Sequence, residues 1–165
     1  MDEKWLQLRD FPTYSVSSHG RVRNDETDRI LARTLNQRGL MQVGLMKGGV
    51  YYKRGLALMV SNAHLPKPKQ KSLDTPINLD GDRTNCYVEN LAWRPRWFAY
   101  AYHAQFKRTQ TNGIKVPVIN TNTSECFDTA LQACQQYGLL ESELILAMSN
   151  RTYVMPTYHI YKFVE

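Results

Sequence analysis

Asp80-Gly81-Asp82 invites reading as a calcium loop. Such a loop needs a glycine at its sixth position and a glutamate at its twelfth, where this chain has Asn85 and Leu91. That reading fails. Cys86, Cys126 and Cys134 are an odd set without C-x-x-C spacing, so they form neither a disulfide framework nor a zinc knuckle. They read as buried free thiols of a reducing compartment. No phosphate-binding glycine loop, Ser-His-Asp set or metalloprotease helix is present. What the sequence does offer is positive charge. Its 165 residues carry 21 Lys+Arg against 15 Asp+Glu, a net of +6. Residues 1–110 hold 18 basic and 10 acidic groups, a net of +8, whereas residues 111–165 hold 3 and 5, a net of −2. A basic body of this kind suits a polyanion, gripped by the first two thirds of the chain.

The elements that position these residues follow from periodicity. Leu6 to Asn24 reads as short strands, with Tyr14, Val16 and Ser18 alternating with Ser15 and Ser17 as a half-buried strand, then a turn at His19-Gly20. Val22 points in between Arg21 and Arg23. Gln42 to Leu45 and Val50 to Lys53 make a hairpin around Lys47-Gly48-Gly49. Leu56 to His64 fits a short buried helix, and Pro66 to Ser72 an extended wet linker. A helix is predicted to begin near Val88-Glu89-Asn90-Leu91. The aromatic run from Trp93 to Phe106 reads as core and helix packing, with stacking on bases as the alternative. Polar Thr109 to Gly113 marks a domain boundary. Beyond it come a strand at Val116 to Ile119 and a helix capped by Asp128 and stopped by Gly138. A second helix spans Glu141 to Met148, and a closing strand spans Tyr158 to Phe163. This β-α-α-β order suits a helix-turn-helix module. The fold class is α+β. The predicted domains are 1–50, 51–108 and 115–165. Met1 to Trp5 shows no basic-then-apolar leader, and no apolar run reaches the roughly 18–20 residues of a membrane span. The expectation is a soluble cytoplasmic protein without membrane association.

The segment Pro76 to Trp93, with Asp80-Gly81-Asp82, Asn85 and Asn90-Leu91, resembles the HNH nuclease motif. Val60 to Pro66 is similar to the helix that precedes it. Trp5 to Arg23, with Phe11-Pro12-Thr13-Tyr14-Ser15-Val16-Ser17 and Gly20-Arg21-Val22-Arg23, resembles the nuclease-associated module at the N-terminus of phage HNH homing endonucleases. Val116 to Phe163, with Cys126 to Ala130 opening the first helix, resembles their C-terminal helix-turn-helix. The resemblance implies a ββα-metal core that cuts or nicks DNA with one divalent ion. A His deprotonates the attacking water. An oxygen ligand beside it and an Asn or His on the helix hold the ion at the phosphate.

Carried over by position, the set is broken. Asn78 stands where the general-base His is expected, and an amide accepts no proton at neutral pH. Ile77 stands in place of the adjacent ligand, and Ala57 where a further His often sits. Asn90 survives, with Asp80, Asp82 and Asn85 shaping the loop. The vestigial positions are therefore Asn78, Asp80 and Asn90. His19, His64, His103 and His159 lie outside the motif, so rescue of catalysis requires one of them to be recruited in space.

The implied grip remains. Arg21, Arg23, Arg29, Arg33, Arg38, Lys47, Lys53 and Arg54 cluster in the N-terminal module. Lys67, Lys69, Lys71, Arg83, Arg94 and Arg96 surround the core, and Asn150 and Arg151 follow the second C-terminal helix. That helix carries Glu141 and Glu143, unlike a typical major-groove reader, so the C-terminal module is also a candidate for a protein partner. The expected function is double-stranded DNA binding without cleavage, as by a regulator, in the cytoplasm of an infected bacterial host if the chain is phage-encoded. No cofactor is expected. An active nicking enzyme, using Mg2+ or Mn2+ on Asp80, Asp82 and Asn90, is one alternative. A protein-interaction module acting on a replication, transcription or defence protein is the other.

Overall fold

The computed structural model describes residues 2–108 and 116–164. The chain divides into two compact units, Met1–Asn78 with Asp82–Arg96, and Leu79–Gly81 with Trp97–Glu165.

In the first unit, β1 (Trp5–Leu8), β2 (Phe11–Ser17), β3 (Val22–Asn24) and β4 (Arg29–Ile30) pair antiparallel in chain order. Alternation predicted one wet face for β2. Instead, Tyr14 to Ser18 are all buried. The serines tolerate this because their hydroxyls are used: Ser15 Oγ donates to Asp25 at 2.6 Å, while Ser17 and Ser18 Oγ accept from the Arg21 and Lys4 amides at 3.0 Å. A second antiparallel sheet holds β5 (Arg33–Leu35), β6 (Met41–Lys47) and β7 (Val50–Gly55). Lys47 pairs with Val50, leaving a two-residue turn at Gly48 (φ 56°) and Gly49 (φ 77°). Left-handed backbone at both positions is the type I′ geometry that continues strand twist, and it suits glycine.

α1 (Leu56–His64) follows β7 directly, as its lack of Gly and Pro predicts. Leu56, Met59 and Val60 on one face enter the core with Phe11, Val16, Val22, Val43, Leu45 and Leu91. The helix ends before Pro66, whose ring disfavours helical backbone at Leu65. The segment from Pro66 to Ser72 has no regular structure.

β8 (Thr75–Asn78) pairs antiparallel with β9 (Leu91–Arg94). A helix was expected from Val88 onward, but only a 3-10 turn, Val88–Asn90, forms there, and Leu91 to Arg94 are strand. Pro95 explains the delay, because it pushes Arg94 toward extended backbone. The helix that follows, α2 (Arg96–Arg108), begins immediately after Pro95.

In the second unit, β10 (Val118–Asn120), β11 (Cys126–Phe127), β12 (Tyr153–Val154) and β13 (His159–Phe163) form a sheet in the order β11-β10-β13-β12. α3 (Ala130–Tyr137) and α4 (Glu141–Asn150) supply Ala133, Cys134, Leu144 and Met148 to a core with Val118 and Tyr161. Several local expectations change. Cys126 and Phe127 are strand rather than helix entry, and Cys126 is exposed rather than buried. The cap is Thr129, not Asp128: the Thr129 hydroxyl accepts from the Gln132 amide at 3.2 Å, and Asp128 N donates to Gln132 Oε1 at 2.8 Å. The first strand starts at Val118, after Pro117, which has no N–H to donate. β12 was not predicted, since two residues give no readable period. Gly138, at φ 63°, ends α3 as expected. The polar segment Thr109 to Gly113 lies outside the described residues. The class is α+β, and among the described residues no helix is long and apolar enough to cross a membrane.

Candidate nucleic-acid interface

The loop between β8 and β9 carries the positions where HNH chemistry was sought. Ile77 is fully buried and Asn78 is 2% exposed, opposite Ala92 and Leu91 respectively. Asn78 Nδ2 donates to the Asn85 carbonyl at 2.8 Å, and Asn90 Nδ2 donates to that same carbonyl at 2.9 Å. Two side-chain amides thus close the loop on one backbone oxygen. Asp82 is turned to local use, accepting from the Thr84 amide at 2.8 Å and from its hydroxyl at 2.8 and 2.9 Å. The loop is buttressed by the β2–β3 turn: Val88 N donates to Ser18 O at 2.8 Å, and the His19 and Tyr87 rings lie 4.9 Å apart. Gly20 is needed there, because a Cβ at its φ of 71° would sit 2.9 Å from the Cys86 carbonyl.

These residues do not fit a catalytic divalent ion. Ile77 has no donor atom. Asn90, expected on a helix, lies instead in the 3-10 turn with its amide N–H directed at Asn85. Among the described residues, no three His, Cys, Asp or Glu side chains group as a metal site. Three of the four histidines are engaged elsewhere, and His19 lies against the Tyr87 ring beside the loop. His64 Nε2 lies 3.0 Å from Val16 O, His103 is buried against Tyr102, and His159 Nδ1 is 3.0 Å from Asn120 Nδ2.

The basic side chains fall into two groups. Some are already occupied within the protein. Arg21 forms a bidentate ion pair with Glu3 and lies 5.6 Å over the Trp5 ring; that hydrogen-bonded guanidinium holds the Glu3 carboxyl down at about 2. Arg23 faces Asp25 at 3.2 Å and Asp28 at 3.4 Å, 4.9 Å from the centre of the same ring. Lys47 donates to Asp10 O at 2.8 Å, and Arg54 lies over Phe11 and Tyr52 at 5.5 and 4.9 Å. Arg83 donates to Arg38 O at 3.0 Å, and Arg94 to Trp93 O at 2.8 Å. The rest reach into water: Arg29, Arg33, Arg38 and Lys53, the linker's Lys67, Lys69 and Lys71, Arg96 at the start of α2, and Arg151 after α4, beside the exposed Asn150 that ends that helix.

Counting charges missed a structured face. In the β5–β7 sheet, Val43 and Leu45 point into the core, so Gln42 and Gly44 face outward, across from Thr34 and Lys53. Tyr51 lies flat along this face over Gly44, where a Cβ would meet its ring at 2.4 Å. Thr34, Gln42, Tyr51 and Lys53, with Leu35, Asn36, Gln37, Arg38 and Leu40, line a shallow depression that is part polar and part apolar. The register puts Arg33 and Arg54 on the opposite, core-facing side. The signal was present in the alternation of Gln42-Val43-Gly44-Leu45. Amide and hydroxyl side chains beside cations are the groups that read base edges and phosphates.

A NUMOD4 motif matches residues 3–46. A solved structure described as DNA binding and cleavage by the HNH homing endonuclease I-HmuI superposes with a TM-score of 0.54 and 18% identity, covering 98% of each chain. The chain has the fold of an HNH homing endonuclease. No curated protein matches the sequence. Within this homing-endonuclease fold, the NUMOD4 motif spans β1 to β4, β5 and most of β6, the elements that buttress the loop and present the polar sheet face.

Proposed function

We propose that this chain binds double-stranded DNA on a homing-endonuclease scaffold and does not cleave it. The observation that carries the reading is the pair of amides from Asn78 and Asn90 on the Asn85 carbonyl, in the loop where the family holds its base and its ion. Beside it in the same unit, the polar face around Gln42, Tyr51 and Lys53 and the exposed Arg29, Arg38 and linker lysines supply groups suited to phosphates and base edges. We take 1–50, 51–108 and 115–165 as successive modules, the last a helix-turn-helix. The proposed setting is the cytoplasm of an infected bacterial cell, with occupancy of a site, as by a regulator, as the outcome. The C-terminal segment, net −2 over residues 111–165, favours a second role there. Exposed Tyr153, Met155, Tyr158 and Ile160, close in sequence, suit a protein partner better than phosphates.

The test is a titration of the full chain with duplex DNA between about 50 and 200 mM salt, where phosphate contacts make affinity fall steeply. A parallel plasmid-nicking assay contains magnesium or manganese. Salt-sensitive binding without nicking is expected. Metal-dependent nicking that disappears in Asn90→Ala refutes the loss of cleavage, and salt-insensitive association refutes the DNA grip.

A further inference from the structure

α2 has an inner and an outer face. Phe98, Ala99, Tyr102 and His103 are buried. The opposite stripe, at spacings of three, four and three, is Trp97, Tyr100, Ala104 and Lys107. Trp97 is 69% exposed and Tyr100 79% exposed, so two of the largest apolar side chains stand in water one turn apart. Scattered surface apolar residues need no explanation, but an aligned aromatic pair does. Packing does not account for it, since the same helix buries Phe98 and Tyr102 on the other side. The Trp97 ring makes an edge contact with Phe98 at 5.6 Å.

Charge indicates what covers the pair. The helix carries Arg96 and Lys107 and no acidic residue, so a polyanion is the complementary occupant. Flat rings beside cations suit a surface that is anionic at its edge and aromatic within, which describes a nucleic acid. We infer that Trp97 and Tyr100 are a base-stacking pair that enters the DNA duplex at a loosened base step while Lys107 meets a phosphate. This rests on the DNA-binding reading and adds to it a contact that carries no charge and distorts the helix. An apolar wedge of this kind partly unstacks the step it enters and bends the duplex.

The experiment uses the full chain, a random-sequence duplex pool and a closed circular plasmid relaxed by topoisomerase in the protein's presence. Wild type is expected to shift the plasmid's linking number. The Trp97→Ala/Tyr100→Ala variant is expected to lose that shift and bind the pool on the order of tenfold more weakly. Its slope of log affinity against log salt should be unchanged, because neither ring neutralises a phosphate. Lys107→Ala should do the reverse, lowering the slope by about one. Trp97→Phe/Tyr100→Phe keeps the rings and should retain most of the shift, and circular dichroism checks that each variant is folded. If wild type binds and the alanine variant matches it in affinity and linking number, the stacking pair is refuted while DNA binding stands. If wild type binds no DNA, both fall. If the alanine variant loses only self-association measured without DNA, the pair is a protein contact and the inference is overturned.

Discussion

The shared carbonyl of Asn85 makes a prediction that separates a built clamp from two incidental contacts. Asn78→Ala removes a nearly fully buried amide and its 2.8 Å bond. A net hydrogen bond is worth about 0.5–1.5 kcal/mol, and the lost packing raises the expected cost to about 1–2 kcal/mol. Asn90→Ala removes the 2.9 Å bond from a half-buried side chain and should cost about 1 kcal/mol. Each single variant leaves the Asn85 carbonyl one of these two donors, and the double variant removes both. The double variant should therefore lose about 0.5–1.5 kcal/mol more than the sum of the singles. Urea unfolding, followed by far-ultraviolet circular dichroism, gives all four corners of the cycle. Additivity within about 0.3 kcal/mol, or a neutral Asn78→Ala, refutes the clamp. It also weakens the proposal of binding without cleavage, which rests on these two amides.

Restoring the family's residues with Ile77→Asp/Asn78→His should destabilise the chain by about 3 kcal/mol or more, since a carboxylate would replace a fully buried isoleucine. Metal-dependent nicking should not appear; its appearance in the plasmid assay refutes the statement that the rest of the loop cannot hold an ion, and leaves the wild-type loss of cleavage standing. Gly20→Ala should cost at least about 1–3 kcal/mol, from left-handed backbone and a Cβ against the Cys86 carbonyl, and a thermal melt reads it. The Glu3 carboxyl sits at about 2 when folded and near 4.5 when unfolded. The stability from its pairing with Arg21 is therefore present above pH 4.5 and lost as pH falls toward 2. Glu3→Gln should flatten this acid limb in unfolding measured across pH. By freeing the Arg21 guanidinium, the same change should steepen the salt dependence of DNA binding by up to about one in slope.

The sequence was most readable where periodicity was long or chemistry local. Tyr14 to Ser17, the hairpin at Gly48-Gly49, α1 and the Gly138 stop all followed from alternation, helical spacing or a positive-φ requirement. Tertiary context overrode the alternation at Ser15 and Ser17, whose hydroxyls are taken up by the Asp25 carboxylate and the Arg21 amide and so were buried. Pro95, rather than Asn90, set where α2 begins. At the candidate interface, the basic residues were legible as a count but not as a surface. Whether Arg23 meets a carboxylate or Lys53 meets water depends on strand register. The exposure of Trp97 and Tyr100 was hidden for a different reason: the polar residues of the aromatic run, Arg94, Arg96, His103 and Gln105, do not mark one outer face, so only packing distinguishes the rings that are covered from those that are not.

The cations resting on Trp5, Phe11 and Tyr52 have a thermodynamic consequence. Arg21, Arg23, Lys47 and Arg54 are already confined by rings, carboxylates or backbone oxygens before any ligand arrives. Long basic side chains ordinarily surrender up to about 2 kcal/mol of rotamer freedom when they are fixed. Much of that ordering is completed here during folding. A ligand meeting this surface gains contacts with little further loss of freedom, but it must match a spacing of charges already set. Such a surface trades breadth of recognition for discrimination among backbone geometries.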